Sequence, residues 1–373
     1  MLLWVAILGA MLAIFGGSLL YISCRAARFP LVRRITGDRR GLGRLLCLGC
    51  LLALMGLLWA LWNLMNAVVC LIHLVVFWML CDLAVFVISK IRRRPVGGQW
   101  AGAAALVLCA AYLAAGWVAD HRVWRQDYAF ESPKLSRELT LALIADAHVG
   151  ATFDGAGFEK HLSTVADLRP DALLVAGDFV DDDTSRADML AACDALGRFQ
   201  APCGVYFVYG NHDKGYYAES SRGWTGAELR AALEQNGVRV LEDECVEVGD
   251  DLCIAGRKDR SEAQRGGGRL SAQALLDPVD HGRYIVLLDH QPHDYADEAA
   301  AGADLVLSGH THGGQFIPIR HVGEWLGENA LRYGHKRLLN TDFIVTSGIS
   351  NWAFRFKTGC RSEYVLIRLL PQT

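Results

Sequence analysis

The chain has 373 residues, of which 52% are hydrophobic, and a formal net charge of −3 at pH 7. This length leaves room for two or three domains. Two short segments near the amino terminus are rich in basic residues, and no basic stripe occurs elsewhere, so nucleic acid is not the expected partner.

Long apolar stretches dominate the first third of the chain. Each is close to the ~20 residues that a helix needs to cross a bilayer. Residues 1–119 are therefore predicted to be a transmembrane region of about four helices. A cleavable signal peptide is disfavoured because no basic segment precedes the first stretch. The second and third stretches are joined by only four residues, so they could instead form a re-entrant hairpin. The stretches are 2–23, 45–62, 67–89 and 101–118.

The basic residues flank these stretches unevenly. Seven arginines lie between Arg25 and Arg44, and four basic residues lie between Lys90 and Arg94, whereas residues 63–66 contain none. Positive loops stay on the cytoplasmic side. Four spans in the cell (inner) membrane therefore predict a periplasmic or extracytoplasmic position for the rest of the chain, and one span fewer would reverse it.

A linker at residues 120–138 precedes a region, residues 139–373, in which apolar runs alternate with amphipathic stretches. Helices are predicted at 157–168, 185–199 and 225–236, and a hairpin at 245–248 and 252–255. Alternating strands and helices indicate an α/β fold. The other predicted strands are 139–145, 172–176, 205–209, 284–288, 304–307, 343–346 and 364–369.

Polar groups follow five of these strands, at the carboxyl ends where α/β folds bind ligands. A single Asp there is commonly a helix N-cap, but five such ends in succession favour a binding site. Carboxylates, an amide and imidazoles together suit a pair of divalent or trivalent metal ions. The five motifs are Asp146-Ala147-His148, Gly177-Asp178, Gly210-Asn211-His212-Asp213, Asp289-His290 and Gly309-His310-Thr311-His312-Gly313-Gly314-Gln315.

In this order the motifs resemble those of the calcineurin-like metallophosphoesterase superfamily, and Gly-His-Thr-His-Gly-Gly-Gln resembles its membrane-associated bacterial branch. The resemblance covers about residues 138–370 and leaves out the predicted spans. It implies a four-layer αββα sandwich, with two mixed sheets face to face and helices outside. It also implies a reaction in which hydroxide activated by the metals attacks phosphorus in line.

Matching motif positions carry over roles residue by residue. His212 would stabilise charge or protonate the leaving oxygen, and Asp213 would orient it. His293, three residues after His290, is an alternative ligand. The two ions would be Mn, Fe, Zn or Co. The resemblance implies that the first ion is held by Asp146, His148, Asp178 and His312, and the second by Asp178, Asn211, His290 and His310.

The sequence therefore predicts a membrane-anchored dinuclear phosphohydrolase, a phosphodiesterase or pyrophosphohydrolase, with lipid-linked or envelope phosphoesters among its candidate substrates. The alternative is a membrane sensor or transport component whose domain binds metal without hydrolysis. Intact motifs favour the enzyme. The predicted spans also lack an array of acidic residues that would mark a transport path, with Asp82 as the main exception.

Two segments can each be interpreted in two ways. Trp325 and Tyr333 could rim the cleft or touch the membrane surface, or pack in the ordinary way. The loop that contains Arg355, Lys357 and Arg361 departs from the more proline-rich ending expected of the branch. These three side chains could contact an anionic head group or lie in a solvated loop.

Overall fold

A computed structural model describes residues 2–96, 99–217, 222–264 and 266–372. The chain divides into two compact units, Met1–Ala115 and Gly116–Thr373.

The first unit is helical. Among the described residues, three helices are long and apolar enough to cross a membrane, where the sequence predicts four. The difference lies in the first helix, in which only Leu12–Ala26 is recognised, as a shorter apolar helix. The helices are α1 (Leu2–Ala26), α2 (Pro30–Thr36), α3 (Arg40–Leu61), α4 (Leu64–Arg92) and α5 (Trp100–His121), whose last residues belong to the second unit.

The first basic segment and the residue that precedes α5 lie at one end of this helical unit. Arg28, Arg40 and Gln99 line the same cavity of about 620 Å³. Beside it, Gly102 of α5 packs so closely against Phe29 and Trp78 that a Cβ would come within 2.8 Å of both rings. The loop before α2 and the loop before α5 therefore share one end of the unit.

The second unit contains twelve described strands in two six-stranded sheets. The first sheet has the order β1-β12-β2-β3-β4-β5 and the second β10-β11-β9-β8-β7-β6. The strands are β1 (Trp124–Ser132), β2 (Leu139–Ile144), β3 (Ala172–Ala176), β4 (Val205–Val208), β5 (Arg239–Val240), β6 (Glu244–Val248), β7 (Leu252–Gly256), β8 (Tyr284–Leu288), β9 (Leu305–Ser308), β10 (Gly334–Leu338), β11 (Thr341–Val345) and β12 (Glu363–Pro371).

Helices complete the layers. The core between the sheets joins Leu141 and Leu143 of the first sheet to Val286 and Leu288 of the second. Since one face of each strand points into this core, the other face must be covered from outside. The helices are α6 (Gly155–Ala166), α7 (Arg186–Arg198), α8 (Gly226–Gln235), α9 (Arg260–Gln264), α10 (Ala272–Leu276), α11 (Tyr295–Ala300) and α12 (Val322–Trp325).

The outer helices pack on both sheets. Phe158 of α6 and Met189 of α7 are buried in one cluster with Val175 of the first sheet. Leu276 of α10 and Tyr295 of α11 are buried with strands of the second sheet. This arrangement confirms the predicted four-layer αββα sandwich.

One strand lies where the sequence predicts only a linker. β1 pairs in parallel with β12, from Trp124 opposite Glu363 to Ser132 opposite Pro371. Its side chains alternate between half-buried and exposed, and the exposed positions include Arg125 and Asp127. An edge strand of this kind contains no continuous apolar run, so the sequence carries no strand signal there.

The end of α5 is held by the domain. The backbone N–H of Lys357 donates to the carbonyl of Gly116 at 3.0 Å, and that of Ser362 donates to the carbonyl of Ala119 at 2.9 Å. The last carbonyls of a helix lack partners within it, so the second bond satisfies one of them. The loop between β11 and β12 is thereby fixed to residues 116–121.

Candidate metal centre

The predicted motifs converge at the carboxyl ends of β2, β3, β4, β8 and β9. Parallel neighbouring strands deliver such ends to the same edge of a sheet. Among the described residues, two groups place potential ligand atoms within 4.8 Å of one another. The first group is Asp146, His148 and His312, and the second is Asp178, His290 and His310.

Asp178 lies between the two groups. Its Oδ2 is 3.1 Å from His290 Nε2 and 3.7 Å from His148 Nε2, while its Oδ1 accepts the backbone N–H of His212 at 2.8 Å. One carboxylate thus faces imidazoles of both groups. This is the geometry that a bridging ligand requires.

Asn211 reaches the second group through its amide oxygen. Asn211 Oδ1 is 2.8 Å from His310 Nδ1. The amide nitrogen donates to the hydroxyl of Tyr216 at 2.8 Å. Tyr216 therefore fixes the amide so that its oxygen points toward the ligand group.

The residues present fit metal ions. Among the described residues, His148 Nε2 and His312 Nδ1 are buried without a hydrogen-bond partner. A buried polar atom without a partner costs about 1–3 kcal/mol, and a bound cation would remove that cost. Carboxylate, amide and imidazole ligands suit divalent transition metals.

Hydrogen bonds behind the histidines select which ring nitrogen faces the centre. His290 Nδ1 is 2.7 Å from the carbonyl oxygen of Ala176, and His148 Nδ1 is 3.1 Å from Asp181 Oδ2. Each contact leaves Nε2 for a metal, as outer partners of metal-binding histidines commonly do. Asp181 is missing from the sequence prediction; the only signal was a carboxylate three residues after Asp178.

Burial sets the protonation of the centre. It raises the pKa of Asp146 to about 6, and the neighbouring charge of Asp178 acts in the same direction. It also lowers the pKa of His310 to about 4, so this imidazole is neutral, the form that binds metal. Burial opposes ionisation of Asp178 too, but His290 holds the pKa of Asp178 well below its ordinary value.

Five of the site residues have left-handed backbone conformations. The φ angles are 53° at Asp146, 37° at His148, 49° at Asp178, 71° at His310 and 47° at His312. Such angles cost about 1–3 kcal/mol each in residues other than glycine and cluster at functional sites. The surrounding packing thus maintains a strained arrangement that turns these side chains toward one another.

Comparison with known proteins assigns the family. Residues 139–314 match the family model described as calcineurin-like phosphoesterase. An uncharacterized metallophosphoesterase of Aquifex aeolicus (strain VF5) is 35% identical over 193 residues, which cover 51% of this chain and 69% of that protein. The chain belongs to the calcineurin-like phosphoesterase family.

Two further similarities extend the comparison. A Danio rerio "transmembrane protein with metallophosphoesterase domain" is 32% identical over 249 residues, which cover 64% of this chain and 54% of that protein, so the chain spans about half of that relative. A solved structure from Thermus thermophilus has a TM-score of 0.36 and 15% identity, and the match covers 56% of this chain and 88% of that one. The assignment rests on the family model and the Aquifex aeolicus relative.

Within this phosphoesterase domain, Asp213 does not orient His212 as the sequence predicted. Its Oδ1 accepts the backbone N–H groups of Phe179 and Val180, and its Oδ2 accepts those of Asp178 and Gly210, all between 2.7 and 3.0 Å. Both oxygens are therefore committed to backbone. Asp213 is a positioning residue that holds the loop bearing Asp178.

Replacement of Asp213 should destabilise the domain strongly. Asp213→Ala leaves four buried N–H groups without their acceptor, and we expect a loss of at least about 3 kcal/mol. For a domain of this size, that loss corresponds to a fall in Tm of roughly 6–12 °C. Thermal unfolding of the full chain in detergent measures it. Asp213→Asn retains one acceptor oxygen and should cost less; equal Tm values for the two variants would contradict this role.

His212 occupies the open side of the centre. Its half-buried ring lies 5.1 Å from the rings of His148 and Trp352 and 5.0 Å from that of Tyr216, measured between centroids. Within the described part of the chain, no hydrogen bond is made by its ring nitrogens. His293, the alternative to His290, instead contacts the guanidinium of Arg260.

Asp181→Asn tests the outer partner of His148. The amide of Asn can present its nitrogen, a donor, where the carboxylate of Asp181 presents an acceptor to His148 Nδ1. The ring then loses the hydrogen bond that fixes its tautomer. We expect metal affinity to fall about 10–100-fold, measured by competition with a chromophoric chelator. Asp183→Asn, a neighbouring change at an exposed side chain, is the matched control. Unchanged affinity in the Asp181 variant would exclude the role.

Proposed function

We propose that this chain is a membrane-anchored, dinuclear metal-dependent phosphohydrolase that acts on phosphodiesters or pyrophosphates. The observation that carries the proposal is the position of Asp178 between two groups of buried ligand atoms. Membership of the calcineurin-like phosphoesterase family supports it. Among the described residues, no observation favours the non-hydrolytic sensor, and His212 is retained beside His148 of the centre.

The residues divide into ligands, supports and a proton donor. Bound metal ions would polarise a phosphoryl oxygen and make a water molecule more acidic. Asp146, His148, Asp178 and His312 would hold one ion, and Asp178, Asn211, His290 and His310 the other. His212, on the open side, would stabilise charge or give a proton to the leaving oxygen. The ligand set suits Mn, Fe, Zn or Co.

The domain is proposed to lie on the extracytoplasmic side of the cell membrane. Arg28 and Arg40 line one cavity with Gln99, which supports a common cytoplasmic end for both basic loops. With α1 as the fourth span, α5 then ends outside. A carboxyl-terminal alkaline phosphatase fusion, active only outside the cytoplasm, tests this; an inactive fusion made in normal amount would reverse the assignment.

Hydrolysis is tested with the full chain in detergent. The protein is loaded with Mn²⁺ and given p-nitrophenyl monoester and diester substrates in parallel, with and without a chelator. The expected result is turnover that the chelator abolishes and added metal restores, with preference for the diester. Bound metal without turnover of either ester or of a pyrophosphate substrate would overturn the proposal and favour the sensor.

A further inference from the structure

An exposed apolar surface lies on the segment between β9 and β10. We define this surface by five side chains, which are 38–75% exposed. The 3₁₀ turn Ile319–His321 carries one of them, and the helix α12 carries two. A fourth, Leu326, follows the end of α12 directly. Large apolar side chains that cluster on a surface commonly mark an interaction site. The surface consists of Ile317, Ile319, Val322, Trp325 and Leu326.

The opposite side of this segment is fixed to the domain. Inside the segment, Glu324 accepts the backbone N–H of Arg332 at 2.9 Å and contacts His321 Nδ1 at 2.7 Å. The backbone N–H of Ala330 donates to the carbonyl of Pro292, outside the segment, at 2.9 Å. Phe316 is 7% exposed and packs edge-to-face on Phe354 at 5.0 Å. The segment is therefore anchored on its inner side while its apolar side chains point outward.

The same segment adjoins the end of α5. Ile317 donates its backbone N–H to Thr358 Oγ1 at 3.3 Å. Thr358 in turn packs on Gly116, where a Cβ would come within 2.8 Å of the threonine methyl group. Gly116 lies in the last turns of α5, a helix long and apolar enough to cross a membrane. Thr358 thus links the apolar surface to the last turns of α5.

Aromatic contacts also connect this region to the reaction centre. Trp352 lies 5.1 Å from His212 between ring centroids. Two residues farther along the loop, Phe354 packs on Phe316, the residue before Ile317. A short run of contacts thus leads from the residue before the apolar surface to His212.

We propose that these five side chains dock on the lipid surface and present the centre to phosphoesters carried by membrane lipids. The bilayer is favoured as the occupant because the surface is continuous with the end of α5. Trp at the edge of such a surface is typical of a membrane interface. The docking stands on these contacts alone, whereas the substrate class rests on the proposed hydrolase function.

The docking is tested with the full chain in nanodiscs of phosphatidylethanolamine and phosphatidylglycerol. The fluorescence of Trp325 is taken as the difference between wild type and Trp325→Phe. We expect this emission to be quenched by a nitroxide on the lipid chains near the head group and protected from aqueous iodide. Quenching by iodide alone would overturn docking. Protection from both quenchers would also overturn it, because a protein partner would then cover the surface.

The substrate class is tested by activity in the same nanodiscs. We expect Trp325→Glu combined with Leu326→Glu to lower turnover of the nanodisc phosphatidylglycerol about tenfold or more, with turnover of a soluble p-nitrophenyl diester unchanged. Leu339→Glu, at an equally exposed leucine in the turn between β10 and β11, should change neither. Equal effects on both substrates would overturn the lipid assignment. Wild-type protein that turns over neither substrate would defeat the hydrolase proposal and leave the quenching result standing.

Discussion

Asp178→Asn should abolish metal binding and turnover together. The carboxylate faces His148 in one group and His290 in the other, so its neutralisation would remove the proposed shared negative ligand from both. We expect the metal content to fall from about two ions per chain to fewer than one. Turnover should fall at least about 10³-fold, more than replacement of an outer partner costs. Metal analysis and p-nitrophenyl diester hydrolysis measure the two effects on one sample.

The control for this variant is Asp250→Asn, a change of the same chemistry in the exposed turn between β6 and β7. It should retain both metals and full activity. If Asp178→Asn kept two ions per chain, Asp178 would not be the bridge. If Asp178→Asn kept one tightly bound ion per chain, the carboxylate would serve only one of the two groups.

His212→Ala should separate metal binding from turnover. The imidazole lies on the open side of the centre, and its backbone N–H, which the alanine variant retains, donates to Asp178. The proposed ligands should therefore stay in place while the proposed proton donor is lost. We expect unchanged metal content and a fall in kcat of about 10²–10⁴-fold, the usual contribution of a positioned acid or base.

His161→Ala is the matched control, because His161 lies on α6 and its ring packs on Phe153. That variant should keep normal kcat and metal content. A loss of metal in His212→Ala would contradict the assigned role and place His212 among the ligands. Full activity with a p-nitrophenyl diester, whose leaving group needs no proton, and loss only with an alkyl phosphodiester would identify His212 as an acid.

The two groups of potential ligand residues could be predicted because each member follows an apolar strand. Strand ends meet in space by the rules of α/β folds, so the positions after β2, β3 and β4 required no knowledge of contacts. The role of Asp213 could not be predicted in the same way. It is adjacent to His212 in sequence, yet adjacent side chains of a turn point in different directions, and the carboxylate faces the backbone around Asp178.

The contacts between distant segments left no local signal. Asp181 supports His148 across 33 residues, and no periodicity marks such a pair. Lys357, which could have been solvated or bound to a head group, is fully buried and donates from its Nζ to the carbonyl of Ser347 at 2.8 Å. From sequence alone, an isolated Lys in a polar loop is expected to be exposed. The carbonyl that accepts its hydrogen bond becomes evident only in the folded chain.

The position of β12 in the first sheet limits when the domain can fold during synthesis. This strand follows all the others in the chain, yet it lies between β1 and β2, parallel to one and antiparallel to the other. The sheet cannot close until residues 363–371 have been synthesised and have reached the same side of the membrane as the domain. Folding must therefore follow translation of these residues. A chain that stops before Glu363 would leave β1 and β2 as open edges, which are templates for aggregation.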